Sequence, residues 1–286
     1  MESFDVVAVG MRACAFIAAL QATGLSLFLV VHRSALDKNA PALAALARTM
    51  TLAGLILVFG HQIVEAARLA GDWSGVVDFD VQRLSWRQSP GIAALAGGAG
   101  LTIEYAGLSL QGMLGRSLMV AGALVVTASF ALTGHTSDAA VAPLVRALLA
   151  LHVTIVSYWL GSIVALGHLT RVATTASLDK VSRAFSAVAI WLVPAILPIG
   201  VGMAIGLLPN VAALRSVYGV LLASKLGGFL LLLILAAFNR WRAVPALLRR
   251  PTVAVGWYRR ALLAEYLLLG SVLSVTAVMT SLFSWH

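Results

Sequence analysis

Three histidines stand inside or beside stretches that are otherwise almost wholly apolar. His135 lies in Gly134-His135-Thr136-Ser137-Asp138, His152 in Leu151-His152 ahead of Tyr158-Trp159-Leu160-Gly161, and His61 four residues before Glu65. Imidazole binds copper, zinc or haem iron and carries protons near neutral pH. Ionisable groups at membrane depth are costly and mark pathways or cofactor sites, although a helical histidine also serves as a hydrogen-bonded packing residue. At i, i+4 spacing His61 and Glu65 share a helical face, so the carboxylate is placed to orient the imidazole. Softer donors are Met11, Cys14, Met203 and Met279; thioether and thiolate prefer Cu(I), while Met is also common helix filling. Lys225, deep in Ala223-Ser224-Lys225-Leu226-Gly227-Gly228, must snorkel, find a partner or lose its proton.

The elements that must position these groups follow from composition. Of 286 residues 60% are hydrophobic and 11% charged, with a mean hydropathy of +0.96, which no ordinary soluble domain reaches. A hydrocarbon core of ~30 Å takes ~20 apolar residues per helix, and long apolar runs recur throughout. A barrel would show short alternating segments instead. The chain therefore reads as an all-α polytopic membrane bundle, a single domain over 1–286, with eight spans at Val6–Val31, Ala42–Leu69, Gly91–Gln111, Ser117–Thr133, Leu144–Leu169, Ala184–Leu208, Ser216–Phe238 and Ala261–Phe283. The third, which contains Ala96-Gly97-Gly98-Ala99-Gly100 and Glu104, also fits a re-entrant segment.

Charge orients the spans. With the N-terminus outside, one side collects Arg33, Lys38, Arg48, Arg116 and nearly all basic residues from Arg171 onward, against only Asp37 and Asp179. This is the positive-inside asymmetry, and it places both termini in the periplasm or exterior. The net charge of +9 is then a cytoplasmic excess and not a nucleic-acid surface. Glu2 and Asp5 near the N-terminus are unlike a signal peptide, so the first run is expected to be retained. The single Cys14 excludes an internal disulfide or a cysteine-pair metal site. The absence of Walker A, HExxH and CxxC patterns and of a soluble nucleotide-binding domain excludes an ATP-driven pump.

On this topology His61, His135 and His152 approach one outer level. Glu104 and Glu265 lie nearer the inner side, placed to pair with arginine or relay protons, and His32 and His168 sit at inner, solvated helix ends. Pro194 and Pro198 interrupt the sixth span and mark a candidate hinge. Asn239–Arg260, basic and broken by Pro245 and Pro251, reads as a surface loop touching anionic headgroups. Ala70–Pro90, with Asp72, Asp78, Asp80, Trp73 and Trp86, reads as an interfacial loop or an acidic collar for cations.

These residues carry a resemblance to the copper-resistance D (CopD) family of bacterial inner-membrane proteins: Gly134-His135, Leu151-His152-x6-Trp159-x-Gly161, and Tyr218-Gly219-x5-Lys225-Leu226 leading to Ala236-Ala237-Phe238-Asn239-Arg240. The resemblance extends from about Arg116 to the C-terminus, with the first hundred residues alike only in layout. It implies an eight-helix protein of the inner membrane that moves copper toward the cytoplasm with a periplasmic copper-binding partner, with His135 and His152 as entry ligands. Spans five to seven also resemble the HemJ-type membrane protoporphyrinogen oxidases, which implies haem b with His152 as an axial ligand, His61 or His135 completing the pair, and Lys225 at a propionate. The preferred expectation is a copper transporter rather than an enzyme; a haem redox protein and an assembly subunit are the alternatives.

Overall fold

With no water in the hydrocarbon region, each backbone N–H and C=O must be paired inside the chain, and here helices do this almost from end to end. The computed structural model describes residues 3–133, 142–207 and 215–282. Eight helices among them are long and apolar enough to cross a membrane: α1 (Ser3–Val31), α2 (Ala40–Ala70), α3 (Ser89–Ser109), α4 (Gly112–Ser129), α5 (Ala142–Val172), α6 (Thr175–Leu207), α7 (Val217–Phe238) and α8 (Pro251–Leu282). An even number of crossings returns the chain, so Ser3 and Leu282 lie at the same end of the bundle, the one that the charge bias assigns to the exterior.

The differences from expectation lie at the ends of helices. Hydropathy marks the part of a helix that sits in hydrocarbon, whereas hydrogen bonding continues into the polar zone, so α4, α6 and α8 start well before the apolar runs do. The expected loop Asn239–Arg260 is helical. After α7 the chain makes one π-helical stretch, Asn239–Ala243, then a short helix, Val244–Arg249, before Pro251 opens α8. Both prolines occupy first-turn positions, where a missing N–H is tolerated. The third span is an uninterrupted helix, not a re-entrant segment.

Glycines explain how the helices pack. α1 is the hub, packed against α2, α3, α4, α5 and α8. Its contact with α5 is made where Gly24 faces Ser157 and Gly161: a Cβ on Gly24 would lie 2.7 Å from the Ser157 carbonyl carbon and 2.8 Å from the Gly161 nitrogen. Small residues let backbones approach in this way, which in lipid is a main source of helix association. The glycine run of α3 works likewise, with Gly100 against Gly122 of α4, where an added Cβ would meet the Gly122 oxygen at 2.8 Å. By contrast α6 and α7 are the spans most exposed to lipid. α7 rests chiefly on α8, α6 on α5, and the two touch each other little among the described residues.

The outer connection Ala70–Pro90 is structured. Asp72 accepts from the Ser74 N–H at 2.7 Å, and Asp78 caps the helix Phe79–Arg87 by accepting from Asp80 and Val81 at 2.9 and 3.0 Å. The Ser74 side chain and N–H hold the Asp72 carboxyl below its ordinary range. Two of the three carboxylates expected as a cation collar thus serve as local caps. Gln62 of α2 donates to Ser85 Oγ at 2.8 Å and Trp73 to Ser3 Oγ at 3.2 Å, fastening this segment over the bundle.

Gly161→Ala is expected to destabilise the bundle by about 3 kcal/mol, the upper part of the overpacking range, because backbone cannot move aside as a side chain can. Gly167→Ala in the same helix, with nothing within 4 Å of its added carbon, is the control and should be neutral or stabilising; thermal unfolding in detergent measures both.

Candidate functional site

At the outer end, α1 supplies Arg12 and Phe16 and α2 supplies His61, Glu65 and Arg68. All of these but Arg68 help to enclose a cavity of about 80 Å³ with α3 and α4, lined by Arg12, His61, Glu65, Ser129 and Thr133 among others. Glu65 gives one oxygen to Arg68 Nη1 at 2.9 Å, and Arg68 Nε reaches Asp5 at 3.3 Å. The other oxygen, Oε2, faces His61 Nε2 at 3.6 Å. That is too long for a hydrogen bond, and both atoms are buried with no partner. The expected carboxylate-to-imidazole hydrogen bond is therefore not formed. A separation of 3.6 Å matches two ligands at ~2.1 Å from one metal ion, subtending roughly 120°. Met11 packs its methyl beside Gly60, next to this pair.

A second group lies where α6 and α7 diverge. His152, about three turns into α5, places its ring beside the Ile196 carbonyl of α6, within electrostatic reach of Lys225 on α7. Its Cε1 is 3.8 Å from where a side chain at Gly200 would begin, so the absence of one there leaves room for the ring. Its Nδ1 is buried and unpartnered. Pro194 and Pro198 bracket Ile196 on a helix that runs on through both, and each removes one backbone donor from the turn before it.

Seven residues along α5, two turns and thus on the same face, Trp159 lies beside Glu265 of α8. Glu265 Oε1 accepts from Asn239 Nδ2 at 2.6 Å. The π-helical stretch delivers Asn239 to this point, a use of π-bulges common at functional sites. Tyr258, fully enclosed, lies near Ser182, whose buried hydroxyl has no hydrogen-bond partner among the described residues. Sequence reasoning missed Asn239 and Trp159 as neighbours of Glu265; the break in hydropathy at Asn239-Arg240 was the available signal, and it read as the start of a loop.

The other intramembrane carboxyl, Glu104, is also fully buried, and its two oxygens accept from Thr23 and Ser26 of α1 at 2.8 Å each. Among the described residues neither acid pairs with an arginine, one of the two roles expected for them. His32 is not solvated either: it is buried and bonds the Tyr158 hydroxyl at 2.6 Å, between Phe28 and Phe185.

His61 and His152 thus belong to different clusters. His135 lies outside the described residues, two positions after Thr133 at the cavity rim. Met203 is half-buried on α6, nearly one turn past Gly200, and Met279 is buried on α8, while Cys14 is exposed and does not line the cavity. Among the described residues no three His, Cys, Asp or Glu side chains converge as a metal group. A haem held between two imidazoles does not fit the cavities described. The outer one, at about 80 Å³, is far below the ~300–1,000 Å³ of cofactor and drug-sized sites, and the larger inner groove contains His168 as its single histidine.

Two family models match the chain. That described as "Copper resistance protein D-like, N-terminal domain" matches residues 2–142, and that described as "Copper resistance protein D" matches residues 179–279. The first hundred residues therefore carry the likeness as fully as the rest, and α5 with His152 falls almost entirely between the two matched stretches. No curated protein and no solved structure matches the chain.

Asn239→Leu leaves Glu265 short of one donor in a dry environment and should lower stability by about 1–3 kcal/mol. Adding Glu265→Leu should recover part of the loss, since replacing both partners removes the orphan. A double-mutant cycle in thermal unfolding checks this, and additive losses would mean that the two groups are not coupled.

Proposed function

The chain belongs to the copper resistance protein D family, and from that premise we propose that it moves copper ions across the membrane that its eight helices span. The observation that carries the reading is His152: a half-buried imidazole whose Nδ1 is enclosed and unpartnered, placed in the gap between the two most lipid-exposed helices, beside a proline-interrupted segment. The membrane is the bacterial inner membrane, and copper is cargo, received from a periplasmic copper-binding protein. No nucleic acid takes part.

Capture is by imidazole. His135 and His152 take the ion at the outer side, and His61 with Glu65 Oε2 forms a further station. Met203 and Met279 are accessory soft donors, Met203 nearly one helical turn from Gly200, and Cys14 is a third at the lipid-facing edge. Lys225, near His152, is an accessory group of the same station. From His152 the ion moves along the α5 face toward the Trp159, Glu265 and Asn239 level, ~10 Å further on at 1.5 Å per residue. Pro194 and Pro198 let the outer half of α6 swing, opening and closing the gap at His152. The reading is of transport rather than catalysis.

Copper uptake into proteoliposomes should fall at least tenfold in His152→Ala and in His135→Ala with folding intact, and a rate unchanged in both would sink imidazole capture. Because a protonated imidazole cannot ligate, uptake should decline as pH drops below ~6.5, the ordinary histidine value. The optical spectrum of the purified protein, oxidised and dithionite-reduced, should be flat while metal analysis finds copper. A b-type haem band lost in His152→Ala would replace transport by the redox alternative.

A further inference from the structure

At the basic end of the bundle a groove of about 590 Å³ runs between α5 and α8, with α1 and α2 behind it. Its walls are Leu46, Ile163, Val164, Leu262 and Leu263. Its floor is closed: the Tyr266 hydroxyl donates to Gln21 Oε1 at 2.8 Å, and Gln21 Nε2 donates to the Met50 sulfur at 2.8 Å. Its rim is Arg171 from the last turn of α5 and Arg259 and Arg260 from α8, all exposed. No carboxylate lines the groove, and none of the three arginines joins an ion pair among the described residues. His168, just inside Arg171, has a buried Nε2 with no partner.

We infer that this groove is a seat for one anionic phospholipid, its phosphate held by Arg171, Arg259 and Arg260 and an acyl chain laid along the apolar walls. Three uncompensated guanidinium groups over a hydrocarbon-lined slot demand an occupant with a negative head and an apolar tail. A soluble anion would fill only the rim and leave the leucine and isoleucine walls uncovered. A zwitterionic lipid would bring its ammonium group against the same three cations, with no carboxylate to receive it. Basic pockets between spans on the cytoplasmic side are suited to anionic headgroups. The lipid would then bridge α5 and α8, the helices that carry Trp159 and Glu265.

The test uses the full chain in detergent, stripped of lipid, with phosphatidylglycerol and phosphatidylcholine of matched acyl chains added back and retention read by native mass spectrometry. Phosphatidylglycerol should be retained as a single tightly held copy and phosphatidylcholine should not. Replacing Arg171, Arg259 and Arg260 by Gln should weaken retention by roughly fivefold for each arginine removed, while replacement by Lys should retain most of it. Equal retention of the two lipids by the unmodified chain would overturn the proposal without any variant. So would a Gln triple variant that holds phosphatidylglycerol as tightly as the parent, or displacement of the lipid by millimolar inorganic phosphate.

Discussion

The bundle is organised around the place where two helix backbones meet with no side chain between them. At Gly24 and Gly161, α1 and α5 approach so closely that the neighbouring residues on each are fixed in depth and direction. Thr23 and Ser26, beside Gly24, are thereby turned toward α3 and hold Glu104. Tyr158 and Trp159, beside Gly161, are turned toward His32 and Glu265. In a medium where lipid tails are as apolar as leucine, packing and polar contacts decide how helices associate. Here the polar contacts depend on the register that the glycine contact sets.

Given that register, most polar side chains inside the bundle find partners, as buried polar groups must. Glu104, Glu265, His32 and Gln21 each have a specific one or two. The exceptions are therefore informative. Among them His61 Nε2, Glu65 Oε2 and His152 Nδ1 are buried and unpartnered, and they are donor atoms suited to a metal, at the end of the bundle where an incoming ion would arrive. The chain keeps Glu104 and Glu265 satisfied in the inner half, and two of its three imidazoles with an unpartnered buried nitrogen, His61 and His152, stand in the outer half, the third being His168 at the basic end.

The number and order of the helices could be read from the sequence because hydropathy reports directly on the hydrocarbon slab. The pairing of His61 with Glu65 was visible as an i, i+4 spacing, but the choice Glu65 makes between His61 and Arg68 was not, since that is a matter of side-chain reach. Partners such as Thr23 and Glu104 are 81 residues apart in sequence, and no periodicity encodes them. The glycine run of α3 looked like a break because isolated glycine lowers helix propensity; within the bundle the same glycines admit the α4 backbone. Asn239–Arg260 was misjudged because charge and proline were read as solvent signals, whereas both prolines open helices and Asn239 is drawn inward by Glu265. His32 was placed at the interface by depth alone, and only the packing of Phe28 and Phe185 encloses it.

The distribution of packing bears on how such a protein would move. α1 and α5 are buried against many neighbours and share a backbone contact that tolerates little sliding, so they form the fixed part. α6 and α7 bury little of their surface, touch each other little among the described residues, and flank His152. Elements that move are drawn from the least stabilised parts of a structure, and a helix with two prolines has lost backbone hydrogen bonds that would otherwise keep it straight. In the proposed transport cycle the ion site would be held by the rigid helix and gated by the loose ones. An imidazole on α5 keeps a fixed position while Ile196 and Gly200 of α6 withdraw from it or return.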